Sequence, residues 1–131
     1  MRDRGSVVIV ENSKVALIKR VRDDSVYFVF PGGGIEEGET PKEAAKREAK
    51  EELGVTVHIS DCIAEVEFTG TQYFFNAEII EGDFGTGMGV EYTDSNRNRG
   101  TYLPVWIELN QLTNIDVRPK EVVLKIQKLF N

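Results

Sequence analysis

Three glutamates, Glu48, Glu51 and Glu52, stand at i, i+3 and i+4 within the stretch EAAKREAKEEL. On a helix turning by about 100° per residue they share one arc of about 100°. Ala45, Ala49 and Leu53 form a narrow apolar stripe beside that arc, so the carboxylates stand at the rim of the buried face. Like charges at these spacings repel by about 0.2–0.5 kcal/mol per pair on an exposed helix. The helix dipole adds about 0.3–1 kcal/mol against anions in the last turn. A bound cation reverses both terms, and clustered carboxylates suit Mg²⁺ or Mn²⁺. The competing reading is a solvated helix face on which Lys46, Arg47 and Lys50 serve as ion-pair partners.

Few other residue types offer chemistry. The 131 residues include one histidine, His58, and one cysteine, Cys62. An internal disulfide and a Cys/His zinc site are therefore excluded, and a Ser-His-Asp triad would have to use His58. Both residues are expected to be ordinary strand positions. Asp and Glu number 22 against 16 Lys and Arg, a net charge of −6. Such a balance disfavours indiscriminate binding to nucleic acid or to anionic membranes. Residues 31–54 hold seven carboxylates and four basic side chains, so half of the net charge lies in this short stretch.

The elements that must position the glutamates are legible on either side. Ser6 to Glu11 and Lys14 to Lys19 flank Asn12-Ser13 and predict a hairpin. Tyr27 to Phe30 reads as a short strand stopped by Pro31 and three glycines. A helix is predicted over Thr40 to Leu53. Thr40 is its N-cap, Pro41 takes the first helical position, Glu43 closes a capping box, and Gly54 is the stop. Strands are expected at Val55 to Ile59, Ile63 to Phe68 and Gln72 to Ile80, with Gly70-Thr71 as a turn. Gly82 to Gly100 reads as a long surface loop, Thr101 to Leu109 as a strand, and Pro119 to Phe130 as a closing amphipathic helix. That helix carries Val122, Ile126, Leu129 and Phe130 on one side. No repeat, linker, signal peptide or membrane-spanning run is visible, so residues 1–131 are read as a single mixed α/β domain, cytoplasmic by default.

The segment from Gly33 to Val55 resembles the Nudix box, G-x5-E-x7-R-E-U-x-E-E-x-G-U, where U is aliphatic. Gly33, Glu39, Arg47, Glu48, Ala49, Glu51, Glu52, Gly54 and Val55 match it. All seven fixed identities are present, and a chance match in this chain is on the order of one in a million. Ala49 departs from the pattern, being small where a larger aliphatic is usual, and is expected to loosen local packing.

The resemblance implies a Nudix fold, an α/β/α sandwich around a mixed β-sheet. It also implies divalent-metal-dependent hydrolysis of a pyrophosphate linkage in a nucleoside diphosphate joined to another moiety. By that resemblance Glu51 and Glu52 are the principal metal ligands. Glu48 is a further ligand or the residue that handles the water, and Arg47 and Glu39 hold the glutamates in place. A backbone carbonyl near Gly32 or Gly33 is a further candidate ligand, because glycine permits close approach.

Weaker features complete the candidate site. Family members often add an acidic residue from a downstream loop, and Glu91 is the candidate, against the alternative of a solvated loop glutamate. Tyr73, Phe74 and Phe75 offer a ring for a base, although an alternating strand must send at least one of them into the core. Arg97 and Arg99 offer phosphate contacts from the long loop. Trp106 reads as core or pocket wall. A MutT-like hydrolase of (deoxy)nucleoside triphosphates is the default for so short a chain. The alternatives are a dinucleoside polyphosphate or nucleotide-sugar hydrolase, a non-catalytic nucleotide-sensing module, and a structural acidic domain. The expected partner is a small nucleotide-type molecule rather than nucleic acid or membrane. Strand edges in such folds often pair, which leaves a homodimer open beside a monomer.

Overall fold

Val7 to Val10 and Val15 to Ile18 are apolar without alternation, the pattern of strands buried on both faces. The computed structural model, which describes residues 2–86 and 101–130, bears this out. Strands β1 (Arg4–Glu11) and β2 (Lys14–Arg22) form a hairpin through Asn12 and Ser13, both at positive φ as a two-residue turn requires. They continue into β3 (Ser25–Val29) and β4 (Gly32–Gly34), which precede helix α1 (Pro41–Leu53). Next come β5 (Val55–Phe68), β6 (Gly70–Gly82) and β7 (Thr101–Glu108). A 3₁₀ turn (Leu109–Asn114), β8 (Val117–Arg118) and α2 (Lys120–Phe130) close the described chain.

The strand order is β5-β6-β1-β2-β3-β8, with β4 paired to β1 and β7 paired to β2. The pairing is mixed: β1 runs parallel to β6 and β3 parallel to β8, while the remaining pairs are antiparallel. The curled sheet separates two cores. Val7, Ile9, Ala16, Ile18 and Phe75 pack under α1 through Ala45, Ala49 and Leu53. Val8, Val15, Leu17 and Phe74 face the 3₁₀ turn and α2, meeting Leu112, Val122, Val123 and Ile126. This is the expected sandwich. No helix among the described residues is long and apolar enough to cross a membrane.

Several local expectations need correction. The two strands expected between Val55 and Phe68 are one strand, whose pairing with β6 shifts register between Thr56 and Val57, Ile59 and Cys62, and Cys62 and Ala64. Bulges of this kind break the alternation that a sequence reading relies on while leaving the ladder continuous. The glycines after Pro31 do not merely stop a strand, because Gly32 to Gly34 themselves pair with Ser6 to Arg4. Leu129 and Phe130 are exposed, so Val122, Val123 and Ile126 make the buried side of α2. Ala49 is fully buried, and its small side chain belongs to a close seating of α1 on the sheet rather than to loose packing. At Gly5 a Cβ would run into the Pro41 carbonyl and lie 3.0 Å from the Ala45 backbone nitrogen. Helix and strand therefore meet almost backbone to backbone, and only small residues fit between them.

Candidate functional site

Helix α1 begins and ends as its sequence dictates. The Thr40 hydroxyl accepts from the Glu43 N–H, and Glu43 accepts from the Thr40 N–H. Gly54 caps the other end in the left-handed conformation, its N–H donating to the Lys50 carbonyl at 3.0 Å. These ends fix the rotation of the helix, and Ala45, Ala49 and Leu53 hold it on the sheet. The glutamates are thereby delivered to the glycine strand β4.

Glu52 goes furthest inward. It is only 6% exposed, and its Oε1 accepts a hydrogen bond of 2.6 Å from the Gly32 N–H. A buried carboxylate is costly unless it is hydrogen-bonded, and this donor supplies part of its compensation. The Glu48 side chain is 12% exposed, and its carboxylate lies where a Cβ on Gly33 would otherwise stand. Any other residue at Gly33 would displace it, so this glycine provides the notch that receives the carboxylate. The Glu51 side chain is the open member of the trio, 44% exposed.

Arg47 ties the group together. Its Nε and Nη2 donate to the two oxygens of Glu39 at 2.8 and 3.0 Å, a bidentate fork. Nη2 also donates to the Gly34 carbonyl at 3.0 Å. Nη1 donates to Glu48 Oε2 at 2.9 Å and to Glu51 Oε1 at 3.3 Å. One guanidinium thus spans the loop, the glycine strand and two of the three helical glutamates. Hydrogen bonding to Glu39, followed by that to Glu48, raises the Arg47 pKa. The same fork, aided by the Glu36 N–H, lowers the Glu39 pKa to about 2. Among the described residues, no three acidic, His or Cys side chains already converge as a metal cage. The donor set nonetheless fits a hard divalent cation: three carboxylates on one helical edge, one seated in a glycine notch, with their negative charge only partly offset by Arg47.

The sequence of the whole chain agrees with this geometry. The family profile described as the NUDIX domain matches residues 1–125. The chain belongs to the NUDIX family. It is 34% identical over 80 residues to the 8-oxo-dGTP diphosphatase of Escherichia coli (strain K12), a match that covers 56% of this chain and 62% of that one. It is 32% identical over 92 residues to the oxidized purine nucleoside triphosphate hydrolase of Mus musculus, covering 69% and 54% respectively. Its match to the dihydroneopterin triphosphate diphosphatase of the same E. coli strain is 37% identical over 67 residues, covering 47% of this chain and 45% of that one. The matched stretches span only about half to three-fifths of these relatives. Among solved structures, a NUDIX hydrolase from Nitrosomonas europaea superposes with a TM-score of 0.76 at 18% identity, covering 98% of this chain and 87% of that one. A structure from a study of MutT from Aliivibrio salmonicida and Vibrio cholerae gives a TM-score of 0.74 at 21% identity, covering 98% of each chain. NUDIX hydrolases generally use a divalent metal.

The remaining candidate residues separate. Tyr73 packs on Phe75 near Thr40 and Pro41, at the N-terminal end of α1 and away from the last-turn glutamates. Phe74, directed to the opposite core, lines a cavity of about 530 Å³. Trp106 lies against Phe84, with ring centres 4.7 Å apart and planes tilted by 32°, and packs against the α1-side core. His58 and Cys62 are exposed strand residues, as expected. Glu91, Arg97 and Arg99 lie outside the described residues. Sequence reasoning missed the cavity, whose walls carry Arg4, Arg20, Tyr27 and Arg118. The alternation of β1, which puts Arg4 and Ser6 on one face, was the available signal.

Proposed function

We propose that this NUDIX protein, with residues 1–131 acting as one domain, is a metal-dependent pyrophosphohydrolase of nucleotide-type substrates. A (deoxy)nucleoside triphosphate is the first candidate. The observation that carries the reading is the Arg47 network. It holds a notched Glu48 and an open Glu51 along one edge of α1, next to a buried Glu52 that is anchored separately on the Gly32 N–H of the glycine strand. The relatives named for 8-oxo-dGTP, oxidized purine nucleoside triphosphates and dihydroneopterin triphosphate support a triphosphate.

In this reading Glu51 and Glu52 are the principal ligands of Mg²⁺ or Mn²⁺, and Glu48 completes the set. With one oxygen already accepting from Arg47, Glu48 is better suited to holding the cation than to taking a proton from water. A backbone carbonyl of the glycine strand is a further ligand. When bound, the metal neutralises phosphate charge and activates water. Arg47 and Glu39 position the carboxylates and are not themselves in contact with substrate. Glu91 is kept as the candidate proton acceptor, and Arg97 and Arg99 as candidate phosphate contacts. Tyr73 is not retained as a base platform, because it lies at the other end of α1.

The test is phosphate or pyrophosphate release from a panel of nucleoside triphosphates, 8-oxo-dGTP, dihydroneopterin triphosphate, a dinucleoside polyphosphate and a nucleotide sugar. Wild type and Glu52→Gln are compared in Mg²⁺ and in Mn²⁺. Turnover by wild type and its loss in the variant are expected. Full activity in Glu52→Gln, or tight binding without turnover by wild type, overturns the reading.

A further inference from the structure

The cavity of about 530 Å³ that sequence reasoning missed has a floor of Val29, Phe30 and Phe74. Its arginines are arranged unequally. Arg118 is bidentate to Asp116, at 3.1 and 2.8 Å, and lies 4.2 Å from the centre of the Tyr27 ring. Arg20 lies 3.7 Å from the centre of the Tyr102 ring and 5.7 Å from that of Tyr27. Those two build a wall of alternating guanidinium and phenol groups. Arg4 differs from both. It is exposed, and among the described residues its guanidinium makes one hydrogen bond, 3.3 Å to the Gly32 carbonyl.

Gly32 is also the residue whose N–H donates to Glu52. A single residue of β4 therefore separates the innermost glutamate of α1 from the Arg4 side chain. Ser6, 2% exposed, follows Arg4 on the same strand face and lines the cavity with it. Arg4 thus stands on the route from the carboxylate edge into the cavity. Two carboxylates also line that cavity, Glu67 and Glu121; both are exposed, and Glu67 accepts from the Thr71 hydroxyl at 2.7 Å.

A polyphosphate needs a cation along this route. The chain carries a net charge of −6, and metal held at α1 offsets only the phosphates beside it. An arginine presents five donors, and a guanidinium suits phosphate oxygens bidentately. We propose that Arg4 grips the substrate's polyphosphate between the glutamates of α1 and the Arg20–Tyr27–Arg118 cavity, fixing the direction in which the substrate lies. This assignment rests on the hydrolase reading above. Arg4 is then a binding residue, and its loss raises KM while kcat is largely kept.

Calorimetry with inorganic tripolyphosphate and Mg²⁺ tests the grip directly, on wild type, Arg4→Gln, Arg4→Lys and Arg2→Gln. Arg2 is the control: an exposed arginine of the same segment, bonded to the Ile35 carbonyl. Arg4→Gln is expected to weaken binding about tenfold, Arg4→Lys to recover most of that loss, and Arg2→Gln to match wild type. On the best substrate of the panel, Arg4→Gln is expected to raise KM about tenfold, with kcat within about twofold. Equal affinities in wild type and Arg4→Gln, an equal loss in Arg2→Gln, or no binding by wild type overturns the assignment. No turnover on any substrate with the Arg4 difference intact overturns the hydrolase reading alone. Normal turnover with an unchanged KM in Arg4→Gln overturns Arg4 alone.

Discussion

Arg47 shows how much one side chain can organise when its shape is right. The planar fork satisfies Glu39 with two donors, and the other contacts reach Gly34, Glu48 and Glu51. A lysine keeps the charge but cannot make a bidentate contact. Arg47→Lys is therefore expected to fold and to lose about 10–100-fold in metal affinity or activity, the usual cost of disturbing the groups that orient ligands. Titration with Mn²⁺ beside a kcat measurement checks this. The fork also couples stability to pH. Glu39 is held at about 2 against an ordinary value of 4.5, so folding favours its charged form. Its stabilisation is complete above pH 4.5 and disappears as the pH falls from there toward 2. Denaturation midpoints of wild type and Glu39→Gln across this range should converge at the acid end, and added salt should reduce their separation at neutral pH because the pair is solvent-screened.

At the scale of elements, the site depends on how closely α1 sits on β1 and β4. Gly5 faces the first turn of the helix, and Gly33 faces Glu48, about two turns beyond the Thr40 N-cap. Gly5→Ala forces the Pro41 end away from the sheet and is expected to cost about 1–3 kcal/mol, as overpacking does. Gly33→Ala leaves the helix seated and displaces only the Glu48 carboxylate. Thermal denaturation should show a clear loss for the first variant, and metal titration a weakened site for the second. Helix α1 itself was legible from Thr40 to Gly54, because capping boxes and left-handed caps are local devices written in neighbouring residues. The pairing of β4 with β1 was not legible. Three glycines carry no side-chain pattern, and their partners lie nearly thirty residues earlier.

For the whole molecule, the acidic excess gathers where the fold closes β4 over α1. A divalent cation binding there stabilises the folded state by mass action, by about 2.7 kcal/mol when its concentration is 100 times its Kd. Mg²⁺ or Mn²⁺ is thus expected to raise the melting temperature of wild type but not of a Glu51→Gln, Glu52→Gln double variant; a shift of equal size in both would refute the carboxylate site. The sequence by itself determined the helix, its caps, the spacing of the seven fixed residues and the carboxylate chemistry they imply. Those properties depend on residues within a few turns of one another, where backbone periodicity fixes geometry. Only the tertiary structure decided that Glu52 is buried on Gly32 while Glu51 stays open, although the two are adjacent in sequence. It likewise decided that Phe74, not Tyr73, reaches the cavity, and that Arg4 stands beside Gly32. The physical reason is the same in each case: burial and charge compensation are set by what the sheet brings from elsewhere, and strand pairing across long separations leaves little trace in any one segment.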